Sequence, residues 1–246
     1  MFNFEIKNLK QDPFFYIVSD ELFDRNFYAD LANDFPEVSK EQISNEKFQG
    51  GRVRSTGKTS LYKSAVDNSL SWRKFDDSLT LESLNKLATD IFGEVYTSKF
   101  KFSNIPDFTF KRKIKFLVKK ILRKPLYSIF MSLSCSGVGY FNEPHFDRTK
   151  RVAVMLIFFC DANKEGMNGG EFVIQKLRKT PQNKSILSNT NRWFAQSECI
   201  PVESIAPQNN LGIFFINNEK SIHSVNKIKS IEGLRKFAYL ALDFSF

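Results

Sequence analysis

Both histidines of the 246-residue chain lie beside apolar segments in its second half. His145 stands two residues before Asp147, and His223 follows much later in the chain. On an extended strand, residues i and i+2 point to the same side, so His145 and Asp147 can reach one point while Phe146 points away. Two imidazoles and one carboxylate form a facial metal triad, which leaves coordination positions open and suits oxygen chemistry at Fe(II). The pattern therefore predicts a metal site made of His145, Asp147 and His223.

Either histidine taken alone would more often be a strand-edge residue whose imidazole is satisfied by a backbone carbonyl. A His-x-Asp pair is also a weak signal by itself. The prediction depends on the combination, in which both histidines of the chain occur in the right order and each adjoins an apolar run.

The composition indicates a packed globule with a basic surface. Hydrophobic residues make up 42% of the chain, 27 residues are phenylalanine, and the formal net charge is +9. This charge favours anionic partners such as phosphates, lipid surfaces or acidic small molecules. The three cysteines are far apart, so neither a zinc site nor a disulfide framework is indicated. We see no signal peptide and no membrane span, and we expect a soluble cytoplasmic protein.

The first part of the chain, residues 1–125, is predicted to be mainly helical. A short strand at 14–18 precedes a helix that starts at Ser19 and ends at Pro36. A second helix carries apolar residues at helical spacing from Leu81 to Phe92 and is closed by Gly93.

The second part, residues 126–246, is predicted to be a β core. Six short apolar runs alternate with turn-rich pieces and no helical pattern intervenes, which is typical of an antiparallel barrel or sandwich. The runs are LYSIFMSLS, RVAVMLIFFC, EFVIQ, CIPVESI, LGIFFI and RKFAYLALDF. We therefore predict a single α+β domain, 1–246, in which N-terminal helices pack on a mainly β catalytic core.

Two polar stretches could lie near a site. The segment GGRVRSTGKTS looks like a phosphate-binding loop, but five residues separate Gly51 from Gly57 where that loop has four, and no apolar strand precedes it. We expect a mobile basic loop that could form part of a substrate lid. The long polar connection 178–194 could cover a site, with Arg192 and Trp193 as substrate contacts or with the tryptophan as an anchor to the core.

The segment KRKIKFLVKKILRK, residues 111–124, is predicted to be a basic amphipathic helix. Its apolar stripe comprises Ile114, Leu117, Val118, Ile121 and Leu122. The favoured interpretation is a stripe that faces the core and a solvated cationic side. The alternative is a weak contact with an anionic membrane or a polyanionic carrier, which would suit a peripheral binding module without catalysis.

The order of motifs in the second part resembles that of the Fe(II)- and 2-oxoglutarate-dependent dioxygenases, especially the prolyl 4-hydroxylase-like group. The resemblance covers roughly Tyr127 to Phe244 and rests on GYFNEPHFD, RVAVMLIFFC, NGGEFVI, NNLGIFFINNEKSIHSV and EGLRKFAYLAL. It implies a double-stranded β-helix (a jelly roll of the cupin kind). It also implies Fe(II) on the triad, 2-oxoglutarate and O2 as co-substrates, and ascorbate as an optional addition.

The resemblance also implies a cofactor-binding residue shortly after the second histidine. Arg235 matches this basic position, which in the family binds the distal carboxylate of 2-oxoglutarate, and its planar fork suits a carboxylate. Strand alternation would point the neighbouring Lys236 away. Leu133 aligns with a tyrosine that many members use for the co-substrate, so Tyr127 and Tyr140 are the nearby candidates for that contact.

Two further positions narrow the implied chemistry. Asp147 is present where halogenating members lack the acidic ligand, which implies hydroxylation of an unactivated C–H bond with release of succinate and CO2. Ala241 occupies the position where nucleic-acid dealkylating members carry a second arginine, which argues against nucleic acid as substrate. The identity of the substrate stays open. It could be a protein residue, an amino acid, a sugar or another small molecule, including an anionic one. The alternative within the fold is a non-catalytic cupin-like metal binder, and the sequence is silent on oligomeric state.

Overall fold

The fold is taken from a computed structural model, which describes residues 2–39, 52–53, 61–100, 110–179 and 192–245. The strands are β1 Tyr16–Ser19, β2 Arg52–Val53, β3 Tyr127–Ser136, β4 Asn142–His145, β5 Arg151–Phe158, β6 Phe172–Leu177, β7 Cys199–Ile205, β8 Gly212–Ile216, β9 His223–Val225 and β10 Arg235–Phe244. The helices are α1 Arg25–Asn33, α2 Leu61–Asn68, α3 Leu70–Ser78, α4 Leu81–Thr97 and α5 Phe110–Ile121.

The strands form two antiparallel sheets. The larger sheet has the order β1-β8-β5-β10-β3-β2, and the smaller one has the order β4-β9-β6-β7. Each of the six apolar runs identified in the sequence contributes one strand to these sheets. The predicted combination of helices with antiparallel sheets is therefore confirmed.

Two apolar layers lie on the two faces of the larger sheet. Between the sheets, side chains such as Leu156, Phe172 and Phe215 form one buried cluster. On the outer face, Met155 and Phe214 pack instead against the helices. Every residue of β5 is buried, because this central strand contacts the second sheet on one face and the helices on the other. The double burial explains why RVAVMLIF reads as an unbroken apolar run rather than as an alternating one.

The helical layer covers the outer face of the larger sheet. Trp72 and Phe75 of α3 are buried there, together with Leu84 and Ile91 of α4. In α4, Thr80 and Ser83 form a reciprocal capping box, which satisfies two backbone donors at the helix start.

The predicted boundaries of two helices are wrong. Helix α1 begins at Arg25 rather than at Ser19, because the carboxylate of Asp24 accepts the free backbone donors of Asn26 and Phe27. In α4, Gly93 has a φ of 52°, which interrupts the helix without ending it, and the helical segment continues to Thr97.

Helix α5 presents its apolar stripe to solvent, so the favoured interpretation of the segment is wrong. Exposure of the five stripe residues ranges from 42% at Leu117 to 72% at Ile121. The side of the helix that touches the protein carries Phe116, whose buried ring packs against Phe244, and Lys119, whose ammonium donates to the Ser245 hydroxyl at 2.7 Å. One aromatic ring and one lysine therefore fix the helix, and they turn the aliphatic row outward.

The N-terminal part also contributes both edge strands of the larger sheet. β1 pairs with β8, and β2 pairs with β3 through Arg52 opposite Ser136 and Val53 opposite Cys135. The expectation of an irregular loop is therefore wrong for residues 52–53. The rest of the GGRVRSTGKTS segment lies outside the described residues.

None of the helices in the described ranges combines the length and apolar character that crossing a bilayer requires. Cys135, Cys160 and Cys199 are free thiols, and each is buried.

Candidate metal centre and its cavity

Two neighbouring strands of the smaller sheet bring the three predicted ligands together. β4 ends at His145 and β9 begins at His223, and these two residues are directly opposite each other in the antiparallel ladder. Asp147 follows two residues after His145. The candidate ligand atoms of the three residues all lie within 4.8 Å of one another, and all three residues are buried.

Hydrogen bonds orient both imidazoles toward the centre of this cluster. The Nδ1 atom of His145 lies 2.7 Å from the backbone oxygen of Glu143, and the Nδ1 atom of His223 lies 2.9 Å from that of Ser221. A carbonyl oxygen can only accept, so each Nδ1 carries the proton and each Nε2 is left with its lone pair. The His223 Nε2 faces Asp147 Oδ2 at 4.0 Å, and the His145 Nε2 has the Asn142 amide at 3.4 Å.

The protonation states that the environment favours are those of a metal ligand set. Burial lowers the pKa of His145 to about 3 and also lowers the pKa of His223, so both rings are neutral at physiological pH. Burial acts to raise the pKa of Asp147, but the neighbouring His223 and Arg151 outweigh it and hold that pKa below its usual value. The cluster therefore offers two imidazole lone pairs and one carboxylate.

Tyr239 positions the carboxylate from the facing strand β10. Its hydroxyl donates a 2.9 Å hydrogen bond to Oδ2 of Asp147, and the Tyr239 side chain is buried. Tyr239 was missed from the sequence, although strand alternation from Arg235 indicates it. Arg235, Phe237 and Tyr239 alternate along β10, so they share the face that lines the cavity.

Replacing Tyr239 with phenylalanine should raise the dissociation constant for Fe(II) about tenfold, the lower end of the range for partners that orient metal ligands. The physical reason is that the carboxylate loses the donor that fixes its rotamer. Competition with a chromophoric chelator would measure the change. Tyr96→Phe is the matched control, because Tyr96 is also buried but lies on α4, where its hydroxyl donates to the Asn85 side chain. An unchanged constant in a folded Tyr239→Phe protein would contradict this role.

Asn217 fixes the loop that carries Asp147. Its buried amide accepts from the Asp147 backbone at 3.1 Å and donates to the carbonyl oxygens of Arg148 at 3.1 Å and Arg151 at 3.0 Å. It also accepts from the hydroxyl of Ser221, two residues before His223. One side chain thus connects the backbones that lead to two of the ligands.

Replacing Asn217 with alanine should lower the free energy of unfolding by about 2–4 kcal/mol, because several buried backbone groups lose their partner. Urea denaturation of the purified protein would measure it. Asn226→Ala, which removes one exposed amide contact to Glu171, should change the free energy much less. Equal stability of the two variants would show that Asn217 does not hold the loop.

The ligand cluster opens into a cavity of about 650 Å³, a size typical of small-molecule sites. At one end of this cavity, Arg235 is 1% exposed and donates from Nε to the Gly170 carbonyl at 2.8 Å, while its Nη1 has no hydrogen-bond partner among the residues that the structure describes. The Gly170 backbone has a φ of 81°, and an added Cβ would clash with Met167. A buried guanidinium with an unpaired donor is costly, and a bound carboxylate would satisfy it.

Arg52 lies beside Arg235 and was missed from the sequence. Its Nη2 donates to the Ser134 hydroxyl at 2.9 Å, its Nη1 lies 3.4 Å from the Tyr140 hydroxyl, and the side chain is buried. The irregular polar sequence around it gave no signal that it would add an edge strand. The cavity therefore has two arginines and Tyr140 at this end.

The other residues considered for the co-substrate lie elsewhere. Lys236 points to the opposite face of β10, with its ammonium 5.7 Å from the Phe35 ring centroid. Tyr127 is opposite Phe244 at the far end of β3 and is absent from the cavity lining, so its predicted contact is not supported by its position. Leu133 is buried in the outer core against the helices. On β3, the residue that points inward next to Arg52 is Ser134.

Residues 192–194 form one wall of the site. Hydrogen bonds from the Phe146 nitrogen to the Arg192 oxygen and from the Phe194 nitrogen to the Pro144 oxygen join them to the ligand strand. The Trp193 ring stacks on His145 with centroids 4.4 Å apart. Both Arg192 and Trp193 line the cavity, and the tryptophan ring covers His145. Their contact with a substrate stays a prediction, and residues 180–191 of the connection lie outside the described residues.

The donor set fits Fe(II) and 2-oxoglutarate. Two imidazoles and one carboxylate would occupy one face of a bound metal ion and leave its other coordination positions open. This is the arrangement found in non-haem iron oxygenases. The unpaired Nη1 of Arg235 supplies the carboxylate partner that a chelated 2-oxo acid needs at its distal end.

The sequence matches no family model and no curated protein. Among solved structures, the chain is similar to a prolyl-4-hydroxylase from Pseudomonas putida, with 10% identity, a TM-score of 0.50 and coverage of 94% of this chain and 92% of the other. It is also similar to a prolyl hydroxylase from Trichoplax adhaerens in complex with a hypoxia inducible factor peptide fragment, with 11% identity, a TM-score of 0.44 and coverage of 93% and 83%. The likeness to the Pseudomonas putida structure shows that the two proteins share a fold.

Proposed function

We propose that the protein is an Fe(II)- and 2-oxoglutarate-dependent oxygenase that hydroxylates an unactivated C–H bond. The observation that carries the proposal is the joint placement, in one cavity, of a buried His-Asp-His cluster and a buried arginine with an unpaired donor. A protein that only binds a metal does not require a buried arginine with an unpaired donor in the same cavity. We also infer that the two sheets form the double-stranded β-helix implied by the family resemblance and shared by fold with the prolyl-4-hydroxylase.

In this proposal each residue has a defined task. His145, Asp147 and His223 would hold the metal, and Arg235 would pair with the distal carboxylate of 2-oxoglutarate. When bound, Fe(II) and 2-oxoglutarate supply the activation of O2 that yields succinate, CO2 and a hydroxylated product. Phe237 and Leu156 line the cavity between these ends and reduce its water content. The Tyr239 hydroxyl keeps Asp147 ionised and oriented.

Anaerobic titration tests the proposal directly. Metal-free protein would receive Fe(II) and then 2-oxoglutarate while the visible spectrum is recorded. We expect a weak charge-transfer band that needs both additions, because only chelation of the 2-oxo acid to iron produces it. His223→Ala should abolish the band, whereas Arg73→Gln, on the exposed side of α3, should retain it. A folded wild-type protein without the band would overturn the assignment.

A further inference from the structure

The cavity is strongly cationic. Six of its described lining residues are basic, and Asp147 is the single acidic one. These six are Arg52, Arg148, Lys150, Arg151, Arg192 and Arg235. The co-substrate has one distal carboxylate, so it does not account for so many positive charges.

The basic residues fall into two groups along β10. The guanidinium carbons of Arg235 and Arg52 lie 4.8 and 5.0 Å from the Phe237 ring centroid. The guanidinium carbon of Arg151 instead lies 4.6 Å from the Tyr239 ring and 4.9 Å from the Phe130 ring. Arg235 and Tyr239 are four residues apart on an extended strand, which corresponds to about 13 Å. A second cationic group is thus separate from the one assigned to 2-oxoglutarate.

Few acidic groups neutralise this second group, which we call the arginine cluster and define as Arg148, Arg151 and Arg192. The carboxylate of Asp243 is occupied by the Lys150 ammonium at 2.7 Å, and its other oxygen lies 3.8 Å from Arg151 Nε. That Nε is buried and has no hydrogen-bond partner within the described ranges of the chain. Neither Arg148 nor Arg192 forms an ion pair with any carboxylate in the described part of the chain.

Arg148 and Arg192 both lie beside the candidate metal ligands, since Arg148 directly follows Asp147 and the Arg192 Nη1 donates to the Phe146 carbonyl oxygen at 3.1 Å. Burial lowers the pKa of Arg192, and the positive charges of Arg148 and Arg151 add to that effect, while Asp147 opposes it. An anion bound between Arg192 and these two neighbours would offset the unfavourable interaction at Arg192. The cluster adjoins the candidate metal centre, because the Tyr239 ring contacts the Arg151 guanidinium while the Tyr239 hydroxyl donates to the Asp147 carboxylate.

We propose that the arginine cluster binds an oxyanion of the primary substrate, a carboxylate or a phosphate, and thereby presents a nearby C–H bond to the metal centre. The proposal rests on the proposed function and names the substrate class for that site. Arginine suits the task, because its fork donates two parallel hydrogen bonds to either oxyanion.

Calorimetric titration with inorganic phosphate and with malonate would test the cluster. The protein would first be loaded with Mn(II) and 2-oxoglutarate, so that the Arg235 end is filled. We expect one of the two anions to bind, and we expect Arg148→Gln/Arg192→Gln to weaken it about tenfold or more. Arg73→Gln should leave the affinity unchanged. Both cluster residues are less buried than Arg151, so the double variant should fold.

The outcomes separate the cluster from the co-substrate end. The tighter of the two anions identifies the oxyanion class. No binding of either anion, or equal affinity in the double variant and the wild type, overturns the proposal. Binding that is lost in Arg235→Met and retained in the double variant also overturns it, because the anion then uses the other end. Loading with Mn(II) and 2-oxoglutarate is measured first. If the protein binds neither Mn(II) nor 2-oxoglutarate but still binds phosphate through the arginine cluster, the proposed oxygenase function is wrong and the anion site is retained.

A second, independent observation concerns the α5 stripe, defined as Ile114, Leu117, Val118, Ile121 and Leu122. All five side chains are exposed and form a continuous row, since they recur at helical spacing. Residues 111–124 contain eight Lys or Arg and no acidic residue. With 100° between successive residues, Lys113 and Lys115 lie on opposite sides of Ile114 and therefore flank the stripe.

We propose that the α5 stripe docks on an anionic lipid surface. Charge complementarity selects this partner, because cations border the aliphatic row on both sides. At such a surface the aliphatic side chains enter the acyl region while the lysine ammonium groups reach the lipid phosphates. The contacts of Phe116 and Lys119 hold the helix against the protein with its row outward, so docking needs no rearrangement of the core.

Vesicle sedimentation tests this docking without any reference to catalysis. We expect the protein to sediment with phosphatidylcholine vesicles that contain phosphatidylserine and to stay in solution with pure phosphatidylcholine. Binding should weaken in about 0.5 M NaCl, where the Debye length is only a few ångströms. Leu117→Glu/Ile121→Glu should abolish it, whereas Leu70→Glu, an equally exposed apolar site elsewhere, should not.

Equal sedimentation of these two variants, or no sedimentation of the wild type with either vesicle, overturns the lipid proposal. Light scattering tests the alternative partner of the stripe, which is a second copy of the chain, by measuring the molar mass in solution. If vesicles do not bind and Leu117→Glu/Ile121→Glu dissociates a dimer, the stripe is a contact between two copies of the chain and the lipid proposal is wrong.

Discussion

Replacing Asp147 with alanine should abolish 2-oxoglutarate turnover while the protein stays folded. The carboxylate is the single anionic ligand of the cluster, and its removal leaves two neutral imidazoles. The Fe(II) dissociation constant should rise more than the 10–100-fold typical of residues that only orient a ligand. Succinate formation and chelator competition would measure the two effects.

Stability should also fall in Asp147→Ala, although by much less than activity. Burial opposes ionisation of this carboxylate, but His223, Arg151 and the Tyr239 hydroxyl outweigh that cost and hold the pKa of Asp147 below its usual value, so the ionised group stabilises the fold. We therefore expect the metal-free variant to melt a few degrees below the wild type and to remain folded under assay conditions. Asp90→Ala, on the exposed side of α4, is the control and should keep full turnover. Succinate formation by Asp147→Ala at the wild-type rate would exclude Asp147 as a ligand.

The proximity of His145 and Asp147 could be predicted from the sequence because only one residue separates them. The expected strand through both residues is wrong in part, because β4 ends at His145 and Asp147 lies in the loop that Asn217 holds. The partnership with His223 depends on strand pairing, which no local pattern specifies. It could be anticipated because both histidines adjoin apolar runs, and the ladder places them opposite each other.

The cationic lining could not be predicted in the same way. Arg52 reaches the cavity through a two-residue edge strand, and nothing in its polar surroundings distinguishes it from a loop residue. Arg148 and Arg151 lie in the loop and strand after the His145–Asp147 pair, where the Asn217 amide holds the backbone carbonyl oxygens of both residues. The sequence shows that these residues are arginines, but whether an arginine side chain faces the cavity depends on tertiary contacts that no local pattern specifies.

The orientation of α5 shows the limit of amphipathic patterns. The spacing of the apolar stripe predicts a helix, and the helix is present. Periodicity describes which residues share a face, but it does not say which face meets the protein. Phe116, outside the stripe, decides this, because its single large ring fills a gap in the core beside Phe244.

Replacing Arg235 with methionine should raise the dissociation constant for 2-oxoglutarate about a hundredfold or more, since losing one partner of a buried charge pair costs about 2–5 kcal/mol. Fe(II) affinity should change little, because Arg235 contacts Gly170 and aromatic rings rather than the ligands. The anaerobic spectral titration measures both constants in one experiment. Methionine retains most of the apolar stem, so the cavity wall keeps its packing.

Two comparison variants make the Arg235 result specific. Lys236→Met removes a neighbouring charge on the opposite face of β10 and should leave the 2-oxoglutarate constant unchanged. Arg52→Gln should raise it by about tenfold, less than Arg235→Met, because Arg52 already donates to Ser134 and is held by it. If a carboxylate binds at the unpaired Nη1, the increase in the 2-oxoglutarate dissociation constant should be largest for Arg235→Met, smaller for Arg52→Gln and absent for Lys236→Met. Equal effects of Arg235→Met and Lys236→Met would mean that only the net charge of the strand matters, and the co-substrate would then have to bind elsewhere in the cavity.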